Sequence, residues 1–321
     1  MDFLKRWTLP IAMLAGVAGY FIYGAIPALN PTHAAVSFAI GHVIQPTLLF
    51  LMLFVAFCRI SPKQVKFHRW HAYMLCIQGG LFIALALIPI CWPAVAGRAI
   101  IESAMICLIC PTATAASVVT LKLGGNASQV VSYTCLINLL AALLVPAILP
   151  LLHESGQDLG FLDSFALIMG KVFPLLILPL ITAWIVRFLF PKVRDVILRL
   201  PNLAFYLWSV ALSLAIAVST KEFMHSNEPV STLFGIAAVS LVACVIQFGI
   251  GRWLGHIHGE DIAGAQSMGQ KNTIFAIWMG YTFLNPVTSL AGGFYSVWHN
   301  VVNSCQLYRK SKENTPHKVH E

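Results

Sequence analysis

The chain has 321 residues, of which 58% are hydrophobic and only 10% charged. A soluble domain carries roughly 25% charged residues, so this composition excludes an ordinary soluble enzyme and defines an integral membrane protein. The net charge of +8 does not form a nucleic-acid patch. Its basic residues are scattered through short loops between apolar runs, which is a topology signal.

Ten apolar runs are read along the chain, at about 8–27, 36–57, 71–90, 99–121, 127–152, 165–188, 203–220, 231–252, 262–284 and 287–308. Each is assigned as a membrane helix, because a barrel would show short alternating segments. The first follows Lys5 and Arg6 and has no clear small-residue cleavage site, so it reads as an uncleaved helix. Arg59, Lys63, Lys66, Arg69, Lys122, Lys192, Arg194, Arg199, Arg252, Arg309, Lys310, Lys312 and Lys318 fall in loops on that same side. The opposite loops hold residues 30–34, Arg98, the acidic stretch Glu154, Asp158 and Asp163, and Lys221 with Glu222 and Glu228. The positive-inside rule then puts both termini in the cytoplasm, in a plasma or inner membrane. Trp7, Trp70, Trp92 and Trp253 lie near run ends, where an aromatic belt is expected.

The acidic loop divides the chain into a five-helix unit at 1–152 and a second at 153–308, with a tail at 309–321 expected to be disordered. Two units with an odd number of spans insert with opposite orientation, as inverted repeats do. The fourth run of each unit is interrupted by polar residues. In the first unit the interruption is Pro111 to Ser117, where proline removes a backbone donor and Thr112, Thr114 and Ser117 supply hydroxyls. A proline-kinked helix packed through small residues explains this segment equally well.

The second interruption, Gln266 to Thr273, is sharper. Lys271 lies too deep in its run to reach an interface easily, and an intramembrane ionisable group points to function. Glu102 is the nearest acid of comparable placement. Gln78 is a further midspan amide, and the final run carries His299, Asn300, Asn303 and Ser304 as a polar stripe. The eight cysteines lie mostly in apolar runs, and Cys107 with Cys110 has no further ligand nearby in sequence to complete a zinc set. No Walker A, HExxH, GxSxG or Rossmann fingerprint occurs, so ATP-driven transport and the familiar hydrolase chemistries lack support.

Three segments carry a resemblance: 111–120 (PTATAASVVT) followed by 123–126 (LGGN), 269–276 (GQKNTIFA), and 294–300 (FYSVWHN). In these the chain resembles the bile acid:sodium symporter family. The resemblance implies ten helices in two inverted repeats, with runs 1, 2, 6 and 7 as a panel and runs 3–5 and 8–10 as a core. It also implies broken fourth and ninth helices crossing at the substrate and sodium sites, and small or amphipathic organic anions as substrates.

The family pattern for two sodium ions is only partly kept. Ala116-Ser117 stands where the family has Ser-Asn, Ser267 where it has Glu, and Lys271 where it has Gln. Gln78 and Thr134 match, whereas Val130 replaces a hydroxyl. A sodium ion beside a protonated lysine would be repelled by several kcal/mol at about 4 Å. The expectation is therefore a degraded cation region at Gln78, Ser117, Thr134, Ser267 and Lys271, with the lysine ammonium replacing a sodium ion. If it releases its proton during the cycle, transport is proton-coupled; if not, it is a fixed counter-ion. Thr114, Asn272, His299 and Asn300 are the expected substrate contacts.

The resulting expectation is a secondary active transporter of an organic anion, with membrane lipid and that anion as its partners. No cofactor, resident metal, nucleic acid or obligate protein partner is expected, and sodium is disfavoured. Two alternatives are an intramembrane enzyme using His299 as base with Ser296 or Ser304, and a transport-dead membrane sensor of the same fold.

Overall fold

The computed structural model describes residues 2–152, 160–200 and 202–313. These residues form α1 (Asp2–Gly24), α2 (His33–Ala39), α3 (Gln45–Cys58), α4 (Arg69–Cys91), α5 (Arg98–Ile109), α6 (Ala116–Leu123) and α7 (Ala127–Ile148). They continue with α8 (Phe161–Leu189), α9 (Pro191–Leu198), α10 (Leu203–His225), α11 (Val230–Ile257), α12 (Asp261–Gly269), α13 (Thr273–Phe283) and α14 (Ser289–Glu313). A π-turn at Ile40–Ile44 makes α2 and α3 continuous. No strand is present among the described residues, only an isolated antiparallel bridge between Thr112 and Lys271.

Six segments are long and apolar enough to cross a membrane: Pro27–Cys58, Arg69–Cys91, Ala127–Leu152, Phe161–Leu189, Leu203–His225 and Val230–Ile257. This is the fold of a helical integral membrane protein. The other four predicted runs fall short of that measure for different reasons. The first keeps an apolar stretch of Pro10–Gly24. The fourth and ninth are each divided in two by their polar interruptions. The last is diluted by its own polar stripe and by the basic residues that end α14.

Local chemistry sets the helix ends. Gly97 and Gly124 take φ of 73° and 87°, a left-handed turn that a side chain would strain, and they bound the divided helix α5–α6. Asn126 begins α7 by accepting from Ser128 N at 3.2 Å. The helix α14 runs unbroken through Glu313, past the boundary placed at 309, while Lys318 lies outside the described residues. So do Glu154 and Asp158 of the acidic loop.

Packing sorts the helices into two groups. In one, α1 lies on α10, and α3 lies on both α8 and α10. In the other, α11 packs on α12, α5 and α14, while α7 packs on α4 and α6 and α13 on α14. The two meet along α7–α8 and where α10 touches α13 and α14. Leu49, Phe57, Phe82, Met105, Ile109, Val172, Leu212 and Phe275 fill the main apolar core between them.

Lipid tails are as apolar as leucine, so helices in a membrane associate through close backbone approach. The contact of α11 with α12 is of this kind. A Cβ on Gly251 would stand 2.3 Å from the Gly264 carbonyl oxygen, and one on Gly264 would stand 2.2 Å from that of Gly251.

Trp70 departs from the expected aromatic belt. It is 2% exposed and packs inward with Met74, Val130 and Tyr133, because its position in the first turn of α4 faces α7. Trp92 and Trp253 are 67% and 61% exposed, as belt residues are, and the side chain of Trp7 is outside the described set.

Candidate functional site

The two interruptions meet. After α5 ends, residues 110–113 leave the helix and 114–115 turn into α6, and after α12 ends, residues 270–272 run non-helical. Ala113 N donates to Gln270 O at 2.8 Å, and Asn272 N donates to Pro111 O at 2.8 Å. This two-bond ladder satisfies backbone groups that have no helix partner at membrane depth. The C-terminal ends of α5 and α12 and the N-terminal ends of α6 and α13 therefore converge on one crossing. The first pair presents carbonyls and the negative ends of helix dipoles, and the second presents N–H groups and positive ends.

Side chains reinforce the crossing from both sides. Thr112 Oγ1 donates to Ser267 O at 2.6 Å. Cys110 Sγ donates to Asn272 O at 2.8 Å. Asn272 Oδ1 accepts from Phe275 N at 3.3 Å and so caps α13. Gln78 of α4 donates through Nε2 to Cys110 O at 3.4 Å, and its Oε1 accepts from Tyr133 of α7 at 2.8 Å.

Lys271 is 1% exposed, and its Nζ donates to Leu108 O at 3.4 Å, in the last turn of α5. Its electrostatic neighbours are the thiols of Cys107, Cys110 and Cys244. It forms no ion pair among the described residues. Glu102, the acid singled out in the sequence, is bound instead by Arg98 at 2.8 Å. The ammonium thus faces carbonyl oxygen at the negative end of a helix, a place that suits a cation. Ser267, in the last turn of α12, is fully buried, and its Oγ has no partner among the described residues.

The remaining expected residues scatter around this centre. Thr134 Oγ1 donates to Val130 O at 2.8 Å, and Ser117 Oγ to Thr114 O at 3.3 Å, so both hydroxyls are used within their own segments. Thr114 itself is partly exposed, in the turn that leads into α6. His299 is 5% exposed and its Nδ1 has no partner among the described residues; its ring meets the Tyr295 ring edge-on at 5.8 Å. Asn300 is turned back on its own helix, donating to Ser296 O at 2.6 Å. Ser304, one of two serines paired with His299 in the enzyme alternative, lies on the exposed side of α14.

Two residues of the site went unnoticed in the sequence. Tyr295 OH donates to Gly269 O at 2.9 Å, and Gln247 Nε2 donates to Cys107 O and to Tyr295 OH, both at 3.1 Å. This network ties α14, α11, α5 and the end of α12 together. Gln247 carries the same signal as Gln78, an amide in the middle of an apolar span. Gln266 adds a second tie to α14, donating to Asn303 Oδ1 at 3.0 Å and Gln306 Oε1 at 2.8 Å.

The fold and this site define a helical membrane protein with two divided helices crossing at a buried lysine. No protein-family model matches the chain. Over 204 residues the chain is 25% identical to the "uncharacterized sodium-dependent transporter YocS" of Bacillus subtilis (strain 168). That stretch covers 61% of this chain and 59% of that relative.

Proposed function

We propose that this chain is a secondary transporter that moves a small or amphipathic organic anion by alternating access, with the Lys271 ammonium in place of a sodium ion. In this reading the chain is two inverted five-helix repeats. The helices α1, α3, α8 and α10 form a panel, and α4–α7 with α11–α14 form a core that rocks against it. The observation that carries the reading is the hydrogen bond from buried Lys271 to Leu108 O, made across the crossing with no acid partner. A fixed cation at a carbonyl-lined helix end does electrostatically what a bound sodium ion would do.

An anionic substrate follows from the same charges. Lys271 and the positive ends of α6 and α13 favour a carboxylate or sulfonate, and Thr114, Asn272, His299 and Asn300 are the polar groups assigned to hold it. The similarity to a protein named as a sodium-dependent transporter supports transport as the activity. Coupling to sodium is the competing outcome, and the loss of the acid at Ser267 argues against it.

Uptake into proteoliposomes tests the proposal, using small and amphipathic organic anions with sodium or choline outside. Saturable anion uptake, equal in the two buffers and lowered at least tenfold in Lys271→Gln, is the expected result. Uptake that requires sodium would overturn the lysine-for-sodium substitution. Saturable uptake of organic cations alone would overturn the substrate class. An imposed pH gradient separates the two forms: uptake driven by it is proton-coupled, and indifference to it leaves Lys271 as a fixed counter-ion.

A further inference from the structure

The chain carries a second concentration of positive charge, outside the two segments that meet at the crossing. The segment 187–200 contains Arg187, Lys192, Arg194 and Arg199 against the single acid Asp195. Arg187 closes α8, the short helix α9 follows at once, and Arg199 leads into α10. The same stretch exposes Phe188 (68%), Leu189 (69%), Phe190 (55%), Val193 (50%) and Val196 (57%). An eight-residue helix with charges on one face and large apolar groups on the other, at the end of a 29-residue membrane span, belongs in the plane of the membrane interface.

Two arginines tie the end of α3 to the ends of α8 and α9. Arg187 Nη1 donates to Ile60 O at 3.4 Å, just beyond α3. Arg59, next to it in sequence, donates to Leu200 O at 3.2 Å. Arg59 and Arg194 both lie within electrostatic reach of the Cys58 thiol. Arg194 meets Asp195 only at 3.5 Å, the Asp195 side chain is 58% exposed, and the Arg194 Nε is shielded from solvent with no partner among the described residues. Arg187 forms no ion pair among the described residues. Arg187 and Arg194 each carry more donors than these contacts use, and planar guanidinium groups match a phosphate, which can accept two parallel hydrogen bonds from each.

We infer that the ends of α3 and α8, together with α9, form a binding site for the phosphate headgroup of an anionic phospholipid. The exposed Phe188, Leu189 and Phe190 make the occupant a lipid rather than free phosphate, since they meet acyl chains beside the headgroup. Because α9 packs on α3 and α8, a lipid held there would fasten that helix group to the membrane face. This inference requires a membrane protein but not the proposed substrate or the lysine-for-sodium exchange.

Thermal unfolding of the full chain in nanodiscs tests it, with phosphatidylglycerol compared to phosphatidylcholine of the same acyl chains. The expected result is a Tm higher by about 2–4 °C in phosphatidylglycerol. The rise should vanish in Arg187→Gln/Arg194→Gln and persist in Lys122→Gln/Lys312→Gln, which removes the same charge from α6 and α14. Equal Tm values in the two lipids, or equal losses in the two double variants, would overturn the site. So would a matching rise from millimolar inorganic phosphate added to protein in detergent. Should the first double variant fail to fold, Arg194→Gln alone is expected to halve the rise, and an unchanged rise would count against the site.

Discussion

The two interruptions that meet at the crossing exchange bonds both ways but differ in charge. Residues 110–115 bring none: they accept at Cys110 O and Pro111 O, with Leu108 O just before them at the end of α5, and donate from Cys110 Sγ, Thr112 Oγ1 and Ala113 N. Residues 270–272 accept at Gln270 O and Asn272 O, donate from Asn272 N, and add the Lys271 Nζ charge and the Asn272 cap of α13. One side ends in carbonyls at a negative helix end, and the other brings the cation that sits there. The difference shows why neither interruption is stable alone, and why a lysine at membrane depth has a place to be.

The strongest way to break this pairing is to reverse the charge. Lys271→Glu sets a carboxylate against the Leu108 carbonyl and the negative end of α5. Uncompensated buried charge costs about 3–5 kcal/mol, so a large fall in Tm is expected by fluorescence-detected unfolding in detergent. Lys271→Met keeps the length and removes the charge, and it should fall clearly less. Equal losses in the two variants would mean that the lysine acts by packing alone.

A second way is to push the halves apart from outside. Gly264→Ala drives a methyl into the Gly251 backbone, where neither side can yield. Overpacking of this kind costs about 1–3 kcal/mol. The displaced α12 carries Lys271 with it, so uptake should fall alongside stability. Gly19→Ala in α1, where a Cβ would meet nothing within 4 Å, is the control and should change neither.

The smaller tests separate the two sides. Asn272→Ala removes the α13 cap on the lysine side and should cost about 0.5–2 kcal/mol. Tyr133→Phe removes the hydroxyl that orients Gln78 on the uncharged side and should cost about 0.5–1.5 kcal/mol. If the two sides are one unit, the double variant will lose less than the two single losses combined, because contacts that share a network do not add. Strict additivity would make them independent.

Much of this was legible in the sequence, and the reasons are physical. The polar run around Lys271 marked one break, because a membrane tolerates irregular backbone only inside protein, whereas Pro111 fitted a break and a simple kink equally well. The meeting of the two breaks was expected only through a family resemblance, since nothing in local composition states which distant segments pair. Gln78 was readable because an amide stands out in an apolar run. Gln247 stands out in the same way, but it gains meaning only beside Tyr295, which looks like any apolar aromatic. The bond from Asn300 Nδ2 to Ser296 O was not readable, because spacing alone does not show which side chains bond their own helix. Trp70 misled for a related reason: position near a helix end says nothing about which way the ring turns.

The most direct measurement of the central claim is the thermal stability of the purified protein in sodium against choline buffer, for the natural chain and for Lys271→Gln. A bound ion stabilises the folded state by mass action. The account predicts no sodium effect in the natural chain, because the Lys271 ammonium already occupies the carbonyl-lined end of α5. A sodium-dependent rise in the natural chain, abolished by Ser267→Ala or Thr134→Ala, would show a working sodium site beside the lysine and would contradict it.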